Sequence, residues 1–388
     1  MKQIIAYYLP QYHPTKRNNE WWGKGFTEWT NVGKAKKLYP GHYQPKVPSE
    51  LGYYDLRLPE VREAQVELAK EAGVTGFCYY HYWFEAGFEE LERPFNEVVE
   101  SGKPDFPFCL CWANESWYSK FWNNDGTVEK KILAEQKYLG KEDNEKHFYS
   151  LLKAFKDKRY IRIDGKLLFV IYQPLGFKNF KEFKAQWNQL AIENGLEGFF
   201  FVGQTLHKEK IDEIIEYGFD AVNHCHRLDN YYQYNKASNF VMRCFNFARK
   251  FIKVPFIIPY KKAIKHSVFE EDYREDVFPT MMPNWDHTPR SGRGGTVLHN
   301  ATPELFEEHA KKVLATTKNK KEDKRIVFLK SWNEWGDDNG DGVGDDWFED
   351  ASGLEGVSDA SEIDDLSGAT FTSEAVKTMI NAALASSK

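Results

Sequence analysis

The chain has 388 residues, a formal net charge of -6 and 28% charged residues. This mildly acidic balance gives no reason to expect a nucleic-acid partner, and no stretch approaches the roughly 20 apolar residues of a membrane span. The outlier is aromatic content, with 12 Trp, 21 Tyr and 29 Phe; such side chains either fill a core or stack on the apolar faces of sugar rings.

In chain order, short apolar runs alternate with amphipathic stretches, the pattern of a parallel βα protein. Eight runs read as strands: Ile4–Leu9, Gly76–Tyr82, Phe106–Trp112, Leu167–Tyr172, Gly198–Val202, Phe219–Asn223, Val277–Met282 and Arg325–Lys330. Most are apolar throughout, as strands buried on both faces must be. A helix is expected at Pro59–Ala72, where proline suits the first turn and Gly73 the end. Others are expected at Glu89–Ser101, Glu142–Phe155, Phe180–Asn194, Lys210–Tyr217 and Pro303–Thr316. Eight βα units predict a closed (β/α)₈ TIM barrel rather than an open sheet. The long segments Trp21–Leu51 and Arg227–Glu275 are expected over the barrel mouth and rim. The expected division is a barrel over 1–350 and an atypical acidic tail over 351–388, with an amphipathic run at Thr372–Ala385 that suits a last helix.

Five cysteines, Cys78, Cys109, Cys111, Cys225 and Cys244, are odd in number and lie mostly in apolar runs. Free buried thiols are therefore expected rather than disulfides. The run Met1–Tyr8 is too short and too polar at its end for a signal peptide. A cytoplasmic protein is expected.

In a barrel, function sits at the C-terminal ends of the strands. The first end supplies Tyr8, Gln11 and His13, the second His81 and Trp83, the third Trp112, Asn114 and Glu115. The fourth supplies Gln173, the sixth His224, the seventh Trp285 and Asp286, and the eighth Asn333, Glu334 and Trp335. Aromatic, amide, imidazole and carboxylate groups converge, with few positive charges. This set suits a sugar; a phosphate site wants a Gly-rich turn with Lys or Arg. Taken singly, each residue also has a packing role open to it. Glu334 is the hardest to absorb that way, because an ionisable group between two tryptophans needs a partner or a task. His224 and His226 alternate on one strand face, but no third metal ligand is evident.

Several segments carry a specific resemblance. Tyr7-Tyr8-Leu9-Pro10-Gln11-Tyr12-His13-Pro14, the run Glu20–Val32 and Gly76–Phe84 resemble the WbsX-type glycosyltransferase-like family, which belongs with the glycoside hydrolase family 99-like barrels. So do Leu110–Glu115, Asn284–Arg290 and Ser331-Trp332-Asn333-Glu334-Trp335. The resemblance covers roughly residues 1–336. It implies a (β/α)₈ fold acting on glycosidic bonds of surface polysaccharides, by hydrolysis or transfer, and it adds Trp22, Glu28 and Trp29 to the expected glycan contacts. In the related endo-α-mannosidases two acids stand in a Glu-x-x-Glu arrangement on the last-strand loop. One assists the sugar's own 2-hydroxyl as internal nucleophile, through an anhydro-sugar; the other is the general acid/base. The resemblance gives Glu334 the first role and Asp337 the second. Here the chain departs from the family: Asp337 is one methylene shorter than the usual Glu, and the Asn-Tyr-Leu-Glu-Pro continuation is missing. General glycosidase chemistry agrees in outline, since paired carboxylates flank an oxocarbenium-like transition state.

The tail adds two expectations. Asp337, Asn339, Asp341 and Asp345 resemble the first part of a calcium loop, with Phe348 where a bidentate Glu is expected. Asp364–Ser373 resembles the flavinylation motif of FMN-binding domains, with Thr370 as the flavin-carrying residue. The leading expectation needs no cofactor. Two alternatives stay open: a carbohydrate-binding barrel without catalysis, and a flavin-carrying fusion protein.

Overall fold

The computed structural model describes residues 3–122, 128–226, 228 and 254–336. The apolar runs form eight strands: β1 Gln3–Tyr8, β2 Gly76–Glu85, β3 Phe108–Trp112, β4 Lys166–Ile171, β5 Phe199–Thr205, β6 Ala221–His224, β7 Val277–Met281 and β8 Ile326–Leu329. Each pairs in parallel with the next, and β8 returns to β1 in the register Ile5 opposite Phe328. The sheet is a closed barrel, as expected. Around it run α1 Pro59–Glu71, α2 Arg93–Ser101, α3 Lys141–Phe155, α4 Phe180–Glu193, α5 Ile211–Tyr217 and α6 Pro303–Thr316. No described helix is long and apolar enough to cross a membrane.

Local chemistry sets these bounds. Thr302 caps α6 by accepting the Leu305 N–H, with Pro303 in the first turn. Gly102, in the left-handed region at φ 72°, ends α2. That helix starts at Arg93 rather than Glu89, because Phe88–Glu90 turns back and pairs antiparallel with the end of β2. A hairpin, Trp117–Trp122 with Val128–Ala134, and a small parallel sheet, Phe256–Pro259 with Thr296–His299, are additions to the expected plan.

Strand residues alternate between the helical layer and the barrel interior. Much of the aromatic excess lies in the outer layer. Trp187 of α4 is fully buried, its ring 5.1 Å from both Phe169 and Phe199. Inside, a polar chain crosses the barrel. The Tyr7 hydroxyl donates to Asn223 Oδ1 (2.7 Å), and Asn223 Nδ2 donates to Thr280 Oγ1 (2.8 Å). Cys78, Cys109, Cys111 and Cys225 are free thiols in the core. Cys244, Asp337, Asn339, Asp341, Asp345, Thr370 and the run Thr372–Ala385 lie outside the described residues.

Candidate active site

The residues after β8 form a turn that β1 and its loop hold from several sides. The Trp332 N–H donates to the Tyr7 carbonyl (2.7 Å). Asn333 grips the Leu9 backbone twice, accepting its N–H at 2.6 Å and donating to its carbonyl at 2.9 Å. The Glu334 N–H donates to Ser331 Oγ (3.2 Å), and the Trp335 N–H to the Tyr12 hydroxyl (2.8 Å). Trp335 Nε1 donates to the Tyr54 hydroxyl (3.1 Å). Glu334, 3% exposed, is thus fixed in place by the backbone bonds of its neighbours. Its carboxylate lies near Tyr80 of β2, whose phenol is pushed well above its usual range by burial first and then by the Glu334 charge.

Loops after β1 and β7 brace this turn. Trp29 packs 5.5 Å from Trp335, and its Nε1 donates to the Tyr54 carbonyl (2.8 Å). Glu28 accepts Arg290 Nε at 2.9 Å and Asn31 Nδ2 at 3.1 Å. A Cβ on Gly336 would meet the Glu28 carboxylate at 2.8 Å, so only glycine lets the chain pass there without displacing it. Asp286 is paired with His42 Nε2 at 2.8 Å and accepts from Gln44 Nε2 at 2.7 Å and from the Thr288 amide and hydroxyl at 2.9 and 2.6 Å. Burial alone would raise its pKa; the bonds and charge of His42, with those of Gln44 and Thr288, hold it below the usual range. These bonds tie the β7 loop to the rim segment that carries His42 and Gln44. Trp285 beside it is buried, its carbonyl accepting the Leu298 N–H (2.8 Å).

Other expected site residues fall elsewhere. Tyr8 donates to Gln65 of α1 (2.6 Å). His81 Nε2 pairs with His147 Nε2 of α3 at 2.7 Å, Trp83 stacks on His147 at 4.6 Å, and Trp112 Nε1 donates to the Trp83 carbonyl (2.9 Å). His224 Nδ1 pairs with Asp272 at 2.8 Å. These five face the helices and rim because they sit one residue out of phase with the inward positions Tyr7, Tyr80 and Asn223. Asn114 clamps the backbone of Gln173, and Glu115 follows it half-buried on the rim. Gln11 is buried, its carbonyl accepting the Glu28 N–H (3.1 Å). Trp22 is 43% exposed on the rim helix Lys16–Trp22. His13 lines a separate cleft of about 400 Å³ with Arg17, Glu20, Glu89 and Glu90, and burial lowers its pKa to about 4. No group of three or more metal-ligating residues stands ready among the described residues.

One positive charge that was not among the expected site residues reaches the mouth. Lys330, directly after β8, is 1% exposed inside the mouth and donates to the Tyr80 hydroxyl. Its ammonium lies 4.7, 5.2 and 5.9 Å from the ring centres of Tyr7, Tyr80 and Tyr172. It also lines a cavity of about 310 Å³ with Tyr172, Gln173, Gln204 and Thr205. Ile326-Val327-Phe328-Leu329 is apolar, and Lys330 enters the mouth because it shares the parity of Phe328, whose ring stacks on Tyr7 inside the barrel.

Fold and site together define a (β/α)₈ barrel with a buried, pinned carboxylate and an aromatic surround at the strand C-termini. The sequence model of the WbsX glycosyltransferase family matches residues 4–340, and the chain belongs to that family. The uncharacterised protein WxcX of Xanthomonas campestris pv. campestris, in two strains, is 33% identical over 347 residues. The match covers 86% of this chain and 46% of the relative, so the chain spans about half the length of the curated relatives it matches. The glycoside hydrolase family 99 endo-α-mannosidase from Bacteroides thetaiotaomicron superposes with a TM-score of 0.51 at 15% identity, covering 99% of this chain and 98% of that one. A glycoside hydrolase-like protein superposes at 0.52 with 14% identity, covering 97% and 92%. At these identities the likeness is one of fold. The matched family accounts for residues up to 340, which leaves the flavinylation-like motif around Thr370 without support from the comparisons.

Proposed function

We propose that the chain is a carbohydrate-active enzyme that cleaves or transfers glycosyl groups on a polysaccharide, with Glu334 as its central carboxylate. The observation that carries this reading is the Glu334 turn itself. Its two flanking residues are bonded to β1 and its loop, Asn333 through its side-chain amide and Trp335 through its backbone N–H, so the carboxylate is held buried at the mouth before any substrate arrives. Such preorganisation costs no reorientation at the moment of reaction.

In this reading Glu334 accepts the proton of the sugar's 2-hydroxyl, whose oxygen attacks the anomeric carbon. Asp337, assigned from the family resemblance, protonates the departing glycosidic oxygen and later activates water or an acceptor hydroxyl. Trp29, Trp335 and Tyr12 form the packed wall behind the turn. No cofactor is needed; calcium at Asp337, Asn339, Asp341 and Asp345, and FMN at Thr370, rest on sequence alone.

A screen of the purified chain against mannan-type and bacterial surface glycans, with product detection, tests the reading, and Glu334→Gln must lower any turnover found by about 10²–10⁴. The shorter acid at position 337 favours a second reading, a glycan-binding barrel without catalysis. Asp337→Glu separates them: it raises turnover in the enzyme and leaves a binding barrel inert.

A further inference from the structure

The Lys330 ammonium is buried, and no carboxylate lies within salt-bridge distance of it among the described residues. Its hydrogen bond goes to the Tyr80 hydroxyl, while the faces of Tyr7, Tyr80 and Tyr172 surround it. Ring faces attract a cation but do not replace a counter-ion, and a buried charge without one is costly. An ammonium has three donors, and a single phenol leaves two of them for other partners. The side chain also lines the cavity of about 310 Å³ at the ends of β4 and β5. That is the lower end of ligand-pocket sizes, about 300–1,000 Å³.

We propose that this cavity is a subsite for an acidic sugar residue, whose carboxylate is held by Lys330. The inference rests on the reading of the barrel as glycan-processing and names its substrate class. Gln173, Gln204 and Thr205 line the same cavity and supply neutral hydrogen bonds for ring hydroxyls. Tyr80 joins the subsite to the catalytic carboxylate, since it accepts from Lys330 and lies near Glu334. A single ammonium matches the single charge of a carboxylate better than a phosphate dianion. The other lysine in the lining, Lys210, is exposed and already paired with Glu213 at 2.7 Å.

The test is equilibrium binding to the full chain, by calorimetry, of the methyl glycosides of glucuronic, galacturonic and mannuronic acid, each against its neutral parent hexoside. At least one acid should bind about tenfold more tightly than its parent, equivalent to about 1.4 kcal/mol. Lys330→Met should erase that gap; should this variant not fold, the wild-type ratios decide alone. The proposal is overturned if every acid binds no better than its parent, or if the gap survives in a folded Lys330→Met. It is also overturned if glucose 1-phosphate or inorganic phosphate binds more tightly than every uronoside. Turnover of glycans without any preference for acids sinks the subsite and leaves the enzyme. A Lys330-dependent preference with no glycan turned over sinks the enzyme and leaves the subsite.

Discussion

At the end of β8, Trp332, Asn333 and Trp335 direct their hydrogen bonds to the β1 strand and loop, so Glu334 is held at the mouth. At the ends of β2 and β3, His81, Trp83 and Trp112 carry the same residue types but direct them to His147 and Asp143 of α3. The first region holds a buried carboxylate at the mouth. The second seals a strand against a helix. Residue type at a strand end therefore does not distinguish a site from a seam; the direction of the side chain does. On β2 itself the two fates alternate, with Tyr80 reaching Lys330 and His81 reaching α3.

The largest contrast is expected from Glu334→Gln. The amide keeps the size of the side chain but cannot accept the 2-hydroxyl proton. Turnover should fall by about 10²–10⁴, the typical worth of general acid–base assistance, mainly in kcat and with the melting temperature unchanged. Steady-state kinetics beside a thermal melt check both halves. Trp112→Ala should behave in the opposite way. It removes a buried ring packed among His147, Phe177 and Phe183, and should cost about 3–5 kcal/mol of stability. Turnover per folded molecule should stay as it was, and a fall in kcat at full folding would undo the assignment of this face to packing.

Asn333→Ala tests whether the two kinds of region are separable. It strands the buried N–H and carbonyl of Leu9 and releases the turn that carries Glu334. About 2 kcal/mol of stability should be lost, and here kcat should fall as well. Denaturant unfolding with parallel kinetics would show the two losses together; loss of stability alone would mean that Glu334 does not depend on its turn for placement.

The barrel was legible because buried parallel strands are apolar on both faces, and that run pattern survives in Phe106–Trp112 or Leu167–Tyr172 without any knowledge of neighbours. The same property hides the site. When both faces of a strand are apolar, the sequence does not mark which parity points inward, so His81, Trp83, Trp112, Tyr8 and His224 read as mouth residues beside Gln173 and Asn333. The Glu334 turn was legible from its composition, a carboxylate between tryptophans. Lys330 was not singled out, because a lysine after a strand reads as an exposed terminus until closure of the barrel turns it inward. The β2 extension to Glu85 and its return pairing were hidden as well, since Phe88-Glu89-Glu90 has too few residues for a strand pattern.

The smallest effect is a slope in pH, and the sealed region contributes to it through His81 and His147. Burial pushes His81 down to about 3, and burial together with the His81 charge holds His147 well below its usual range. Both rings are therefore neutral in the folded protein, and one donates to the other. The unfolded chain takes up a proton on each near pH 6.5. Between about pH 6.5 and 3 the unfolded state binds more protons, so stability falls as the pH is lowered through that window. Each such histidine contributes about 1.4 kcal/mol per pH unit. His13 and His309, lowered to about 4 and about 3 mainly by burial, act with the same sign. His147→Gln removes one of these groups while keeping a hydrogen-bonding side chain opposite His81. Its unfolding free energy, measured in denaturant at pH 6 and pH 5, should fall by about 1.4 kcal/mol less than that of the parent over the same interval. The pH profile of turnover should be the same in both proteins, because neither ring touches the cavity. An unchanged stability slope would show that His147 is already charged in the folded protein, and the seam between β2 and α3 would then be an ionic one.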